Sequence, residues 1–146
     1  MGFSVSGSAA IIFAAMFIAF GMWHTAATNG FERISDAQAD DADRLLAQQN
    51  TAIVIDSAVA DTGAGETRVR ATNTGSTELS LNETDVLVDN EYHDGWQGNA
   101  TLDGTSGTDL WLPGEQLEFN VSVGSAAQVK VVTETGVSDT SGVTNT

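Results

Sequence analysis

A chain of 146 residues with 41% apolar content has material for one domain of ordinary size and is too apolar for a uniformly disordered polymer. Its 20 acidic side chains outnumber 5 basic ones, giving a net charge of −15, which argues against a phosphate-backbone binder and leaves no nucleic-acid partner expected. Without cysteine it holds no disulfide, thiolate metal site or thiol nucleophile.

The charge is unevenly placed. No Asp, Glu, Lys or Arg precedes Glu32, so the first 30 residues are a different physical object from the rest. The window Ser6 to Ala27, SGSAAIIFAAMFIAFGMWHTAA, spans about 33 Å as a helix, against a hydrocarbon layer of about 30 Å. A single membrane-spanning helix is predicted, with Ala9 to Trp23 its most apolar part and Trp23 and His24 near one interface. The competing reading is a secretory signal peptide, with Ala26, Ala27 and Thr28 as a small-residue cleavage context. Against it stand the absence of a preceding Lys or Arg, the length of the run and the helix-like sequence beyond it. Small residues Ser6, Ala10 and Ala14 recur every four positions, a spacing that permits close helix approach but is common in apolar helices.

Residues 1–30 are thus assigned to the membrane helix and junction, and residues 31–50 to a short helical stalk. In FERISDAQADDADRLLAQQ, Phe31, Ile34 and Leu45 recur near helical spacing and are the candidate stalk or oligomer contacts, while Gln38 and Asp41 interrupt a clean heptad. Asn29-Gly30 is a candidate bend or mobile linker at the junction.

From Thr51 the pattern changes to short β-compatible runs separated by Gly, Asn and Asp. Strands are predicted at Thr51–Ala60, Thr67–Thr72, Glu78–Leu81, Asp85–Asp89, Leu117–Val123 and Gln128–Thr133. Val69 and Ala71 face inward with Arg68 and Arg70 outward, and Leu117, Phe119, Val121 and Val123 line one face. Pro113-Gly114 marks the turn before the Leu117 strand. Residues 91–108 read as surface loops. The expected architecture is mainly β, a small antiparallel sandwich over residues 51–136, followed by a polar tail at residues 137–146.

Chemical motifs are missing. The sequence has no phosphate-binding glycine loop, nucleophile elbow or His-Glu-x-x-His, so no catalytic residue, cofactor or metal site is assigned. Asp40, Asp41 and Asp43 read as a solvated helix face, and Asp89, Glu91, His93 and Asp94 as a hydrated loop whose order does not match a calcium loop. Three sequons, at Asn82, Asn99 and Asn120, are candidate N-glycosylation sites and favour an extracytoplasmic domain. Tyr92, Trp96 and Trp111 are candidate partner contacts, with local packing as the competing role of each.

The acidic excess also matches adaptation to concentrated salt, because in roughly molar salt the screening length falls to about 3 Å and carboxylate repulsion weakens. The folded state is expected to loosen at low ionic strength. A thermal midpoint that does not move between dilute and molar salt would reject that adaptation.

The opening MGFSVSGSAAIIFAAMFIAFGMWHTAATNGFERISDA, with RVRATNTGSTELSLNETDVLVDN, WLPGEQLEFNVSVG and VKVVTETGVSD, resembles the haloarchaeal form of the archaellum accessory protein F family, also called flagella-related protein F. The resemblance covers most of the chain. It implies an immunoglobulin-like β-sandwich outside the membrane that helps anchor the archaellum motor or stator complex to the surface layer, without catalysis. The implied partners are a surface-layer protein, an archaellum accessory or stator protein and the lipid membrane, with a homo-oligomer as a further possibility. The opening is also similar to archaeal pilins and archaellins, but lacks their basic residue and glycine just before the apolar core. That departure argues against peptidase processing and assembly as the main filament subunit. A filament or pilus subunit is the alternative because a long apolar amino-terminal helix can pack in a helical assembly, along with a membrane-tethered glycan- or protein-binding module.

Overall fold

The computed structural model describes residues 2–146, with side chains from Ser6 onward. Two compact units divide after Asp43. The first is one helix; α1 (Gly2–Asn50) begins there, and its last residues belong to the second unit. Helical hydrogen bonding runs through Asn29-Gly30 without a break, contrary to the expected bend or linker. A single glycine costs about 1 kcal/mol in a helix interior, too little to stop propagation between well-formed flanking turns. Thr25 and Thr28 hydroxyls donate back to the carbonyls of Gly21 (3.0 Å) and His24 (2.9 Å), removing two polar groups from the apolar surface.

None of the most apolar window of α1 is buried, and Phe17 is 75% exposed. A soluble core helix would have that face covered. Length and composition make this segment able to cross a membrane.

The second unit is built from twelve short strands. These are β1 (Ile53–Asp61), β2 (Glu66–Asn73), β3 (Leu79–Ser80), β4 (Asp85–Val88), β5 (Glu91–His93), β6 (Thr101–Leu102), β7 (Thr105–Ser106), β8 (Leu110–Trp111), β9 (Gln116–Val121), β10 (Gln128–Val132), β11 (Ser138–Gly142) and β12 (Thr144–Asn145). One sheet has the order β12-β1-β2-β9-β6-β7, a second β11-β10-β4-β5, and β3 pairs with β8. β12 runs parallel to β1, through Val59↔Thr144, so the first sheet is mixed and not wholly antiparallel as expected.

Alternation places one apolar face of each strand in a common core. Val69 and Ala71 of β2, Leu117, Phe119 and Val121 of β9, Val86 and Val88 of β4, and Val129 and Val131 of β10 are all buried in one cluster. Both larger sheets contribute to it. β1 changes phase: Ile53 and Ile55 are buried, then Ala58 and Ala60, because the register on β2 shifts between Ile55 and Ser57. The extra residue at Asp56 is a β-bulge that restores the inward face after one slipped position.

Two further expectations change. Residues 91–108 hold β5, a 3₁₀ turn at Trp96–Asn99, β6 and β7. The turns that make these pairings are two-residue hairpins with positive φ, Asp89-Asn90 (51° and 69°) before β5 and Asp103-Gly104 (46° and 81°) before β7. That geometry matches the right-handed twist of the flanking strands. The polar tail, residues 137–146, is also structured, carrying β11 and β12. Its strands are polar because they lie at sheet edges and have few core-facing positions.

Candidate functional site

The candidate functional surfaces are the exposed flank of α1 and the outside of the β domain. On α1, Phe31, Ile34 and Leu45 are 73%, 57% and 59% exposed, large apolar side chains left uncovered next to an acidic helix surface. The helix ends by a local device. The Thr51 hydroxyl donates to Ala47 O at 2.7 Å and its N–H to Gln48 O at 3.3 Å, satisfying two terminal carbonyls. The chain is then held by the 74–76 turn: Thr74 and Gly75 N–H both donate to Ala52 O at 2.9 Å, and Ser76 N–H to Asn50 O at 2.8 Å.

Behind that turn sits Asn73, fully buried. Its amide donates to Thr77 O (2.9 Å) and Trp111 O (3.1 Å), and its Oδ1 accepts from Gly75 N–H (3.1 Å). Every polar atom of the side chain is used, which removes the cost of burying it. The Trp111 indole donates to Glu115 O at 2.9 Å. Trp111 is therefore a core residue that ties β8 to the turn before β9, and Trp96, 2% exposed, packs on Phe119 at 4.6 Å between ring centroids. Burial takes both tryptophans off the surface, so the expected aromatic partner contacts reduce to Tyr92. Tyr92, on β5 at the edge of the second sheet, is 58% exposed.

The outer face of β1, β2 and β9 carries the domain's strongest charge pairing. Glu118 receives Arg70 Nε at 2.7 Å and lies 3.5 Å from Arg68 Nε, so two guanidiniums share one carboxylate. Its hydrogen bond and charge raise the pKa of Arg70 further above its ordinary value. A groove of about 240 Å³ runs beside them, lined among others by Ser57, Val59, Arg68, Arg70 and Asn120. The R-V-R alternation placed both arginines outward; their partner lies on a strand 48 residues away and is invisible to local pattern.

Of the sequons, Asn82 lies in the turn after β3, Asn99 ends the 3₁₀ turn and Asn120 lies within β9. Asp109 organises the first of these. It accepts from Asn82 N–H at 2.8 Å and from the Ser80 hydroxyl at 3.0 and 3.2 Å, and these bonds hold its carboxyl below the usual carboxylate range, led by the Asn82 backbone N–H. Asp89 of the candidate hydrated loop spends Oδ1 on Ala127 and Gln128 N–H, both at 2.9 Å. Among the described residues no group of three or more His, Asp or Glu side chains converges as a metal site would require.

Residues 2–142 match the family described as archaeal-type flagellin. Comparison with curated proteins finds no match. Among solved structures, the chain is similar to the archaellum periplasmic stator protein complex of FlaF and FlaG from Sulfolobus acidocaldarius, at 16% identity over 61% of this chain and 85% of that one, with a TM-score of 0.42. It is similar to FlaG alone from the same organism at 17% identity, over 62% of this chain and 97% of that one, with a TM-score of 0.43. Likenesses of that size do not define a shared fold or function. The family match extends from the apolar helix through β11, and by it the chain belongs to the archaeal-type flagellin family.

Proposed function

We propose that this protein is a stationary envelope component of the archaellum, held in the membrane by the opening of α1 and bearing its β domain outside the cell. The supporting observation is the sequence of one continuous helix: an uncharged apolar length sufficient for a bilayer, then an acidic extension through residues 31–50, then a domain with a folded core. In this reading the β domain closes as an immunoglobulin-like sandwich and binds surface-layer protein and a stator or accessory protein. A two-ended attachment of this kind opposes motor reaction force without chemistry.

Tyr92 is the assigned surface-layer contact, because it is the candidate aromatic that is exposed, on an edge strand. A photocrosslinking side chain in place of Tyr92 is expected to capture surface-layer protein in intact cells. Capture of only other copies of this chain would reject the assignment. Phe31, Ile34 and Leu45 serve as packing positions for a helix of the same complex or of a second copy.

A filament subunit is the second reading, favoured by the family match across residues 2–142. Electron microscopy of the intact protein separates the two: filaments support the subunit reading, whereas discrete small oligomers in membrane support the anchor.

A further inference from the structure

The three sequons are chemically alike in sequence but sit in unlike structural settings. We propose that Asn99 is the N-glycan acceptor of the folded protein and that Asn82 and Asn120 are withheld by the fold. The inference rests on the extracytoplasmic placement proposed above.

In the transfer, Asn Nδ2 attacks the anomeric carbon of an oligosaccharide carried on a lipid phosphate. A C–N bond forms as the anomeric C–O bond breaks, its electron pair leaves on the phosphate oxygen, and the amide gives up one proton. An amide nitrogen is a weak nucleophile, so the transferring enzyme must hold both the amide and the hydroxyl two residues on. The acceptor segment has to present those two groups together, or leave its local structure to do so.

At Asn82 the hydroxyl is already engaged and the local backbone is tied down. Thr84 is 2% exposed and its hydroxyl donates to Ser80 O at 2.7 Å, while the Asn82 backbone N–H is held by Asp109 at 2.8 Å. Asn120 fails for a different reason. It lies in β9, paired opposite Arg68 of β2, and its half-buried side chain lines the groove beside Arg68 and Arg70. Freeing it means breaking the pairing of β9 with β2 in the larger sheet, where Phe119 and Val121 on either side of it are held in the core.

Asn99 meets neither obstacle. It is exposed at the end of a single 3₁₀ turn, its successor Ala100 is already extended (φ −80°, ψ 143°), and neither the Asn99 amide nor the half-exposed Thr101 hydroxyl is used in a hydrogen bond. Trp96, Ala100 and Leu102 hold this short segment in the core while Asn99 and Thr101 are its outward positions on either side of Ala100, so both groups are presented without opening the turn. A glycan here also stands near the β6–β7 end of the first sheet, where bulk hinders strand addition at an open edge.

The test is peptide mass spectrometry on full-length protein from membranes of an archaeal host that transfers lipid-linked oligosaccharides to envelope proteins, alongside impermeant surface labelling of the same cells. With the domain labelled from outside, glycan occupancy at Asn99 is expected to exceed that at Asn82 and Asn120 at least fivefold. Asn99→Gln and Thr101→Val should each abolish that glycan while leaving the thermal midpoint unchanged. Occupancy at Asn82 or Asn120 equal to or above Asn99, or no glycan at all three in an externally labelled domain, overturns the proposal. A domain that labels only after lysis overturns the placement on which it rests, and is read separately.

Discussion

Deleting residues 137–146 is expected to abolish the cooperative thermal transition of the β domain. The segment removed is polar, yet it carries both β11 and β12. β11 pairs with β10 from Gln128↔Gly142 to Val132↔Ser138. Asp139 then reaches across to β1: its Oδ2 accepts from Ile55 N–H at 2.8 Å, beside the bulge, and its Oδ1 from Thr140 N–H at 2.9 Å. Beyond it, the Asn145 side chain holds Ala126 from both sides, at 3.1 and 3.0 Å, and Val143 packs against the core. Each hydrogen bond contributes about 1 kcal/mol net, and each buried donor left without an acceptor costs about 1–3 kcal/mol. Lost together, they are comparable with the whole stability of a domain, about 5–15 kcal/mol. Near-ultraviolet circular dichroism on heating checks this, and a truncated chain that retains the parent midpoint would show that the edge strands are dispensable.

Gly75→Ala should lower the midpoint by roughly 10 °C or more. A Cβ at Gly75 would stand 2.5 Å from both Ala52 N and Asn50 O and 3.1 Å from Thr51 C, all backbone atoms of the chain leaving α1. Backbone held by the hydrogen bonds of Gly75 and Ser76 has no room to yield. Overpacking costs typically about 1–3 kcal/mol and more where nothing can move, and each kcal/mol shifts the midpoint of a domain of this size by about 4–8 °C. Gly98→Ala is the control, since a Cβ there meets nothing within 4 Å. Equal midpoints for the two variants would mean that the joint between helix end and β domain is looser than its hydrogen bonds imply.

Much of the core was legible because it depends on alternation alone. Val69 and Ala71, Leu117, Phe119 and Val121, and Val129 and Val131 are buried where a period of two places them, and the uncharged opening is helical along the length its composition allows. What escaped depends on distant partners. The bulge at Asp56 is set by pairing with β2, and β11 and β12 are polar strands whose partners lie elsewhere in the chain. Asn73 looks like a turn residue but is buried, because three partners from separate positions converge on its amide. Trp96 and Trp111 carry no local signal that separates core from surface. Asn29-Gly30 misled in the opposite sense, since the pair's turn preference is weaker than continuous helix on both sides.

Anchoring from outside the cell requires the β domain to lie on the outer side of the membrane. The chain has no cysteine, so Ser125→Cys, at an exposed position outside the strands, supplies a single reactive thiol. In intact cells a membrane-impermeant maleimide is predicted to label this variant fully, with the labelled protein recovered in the membrane fraction. Labelling only after lysis, or recovery of the protein in the soluble cytoplasmic fraction, would contradict the account.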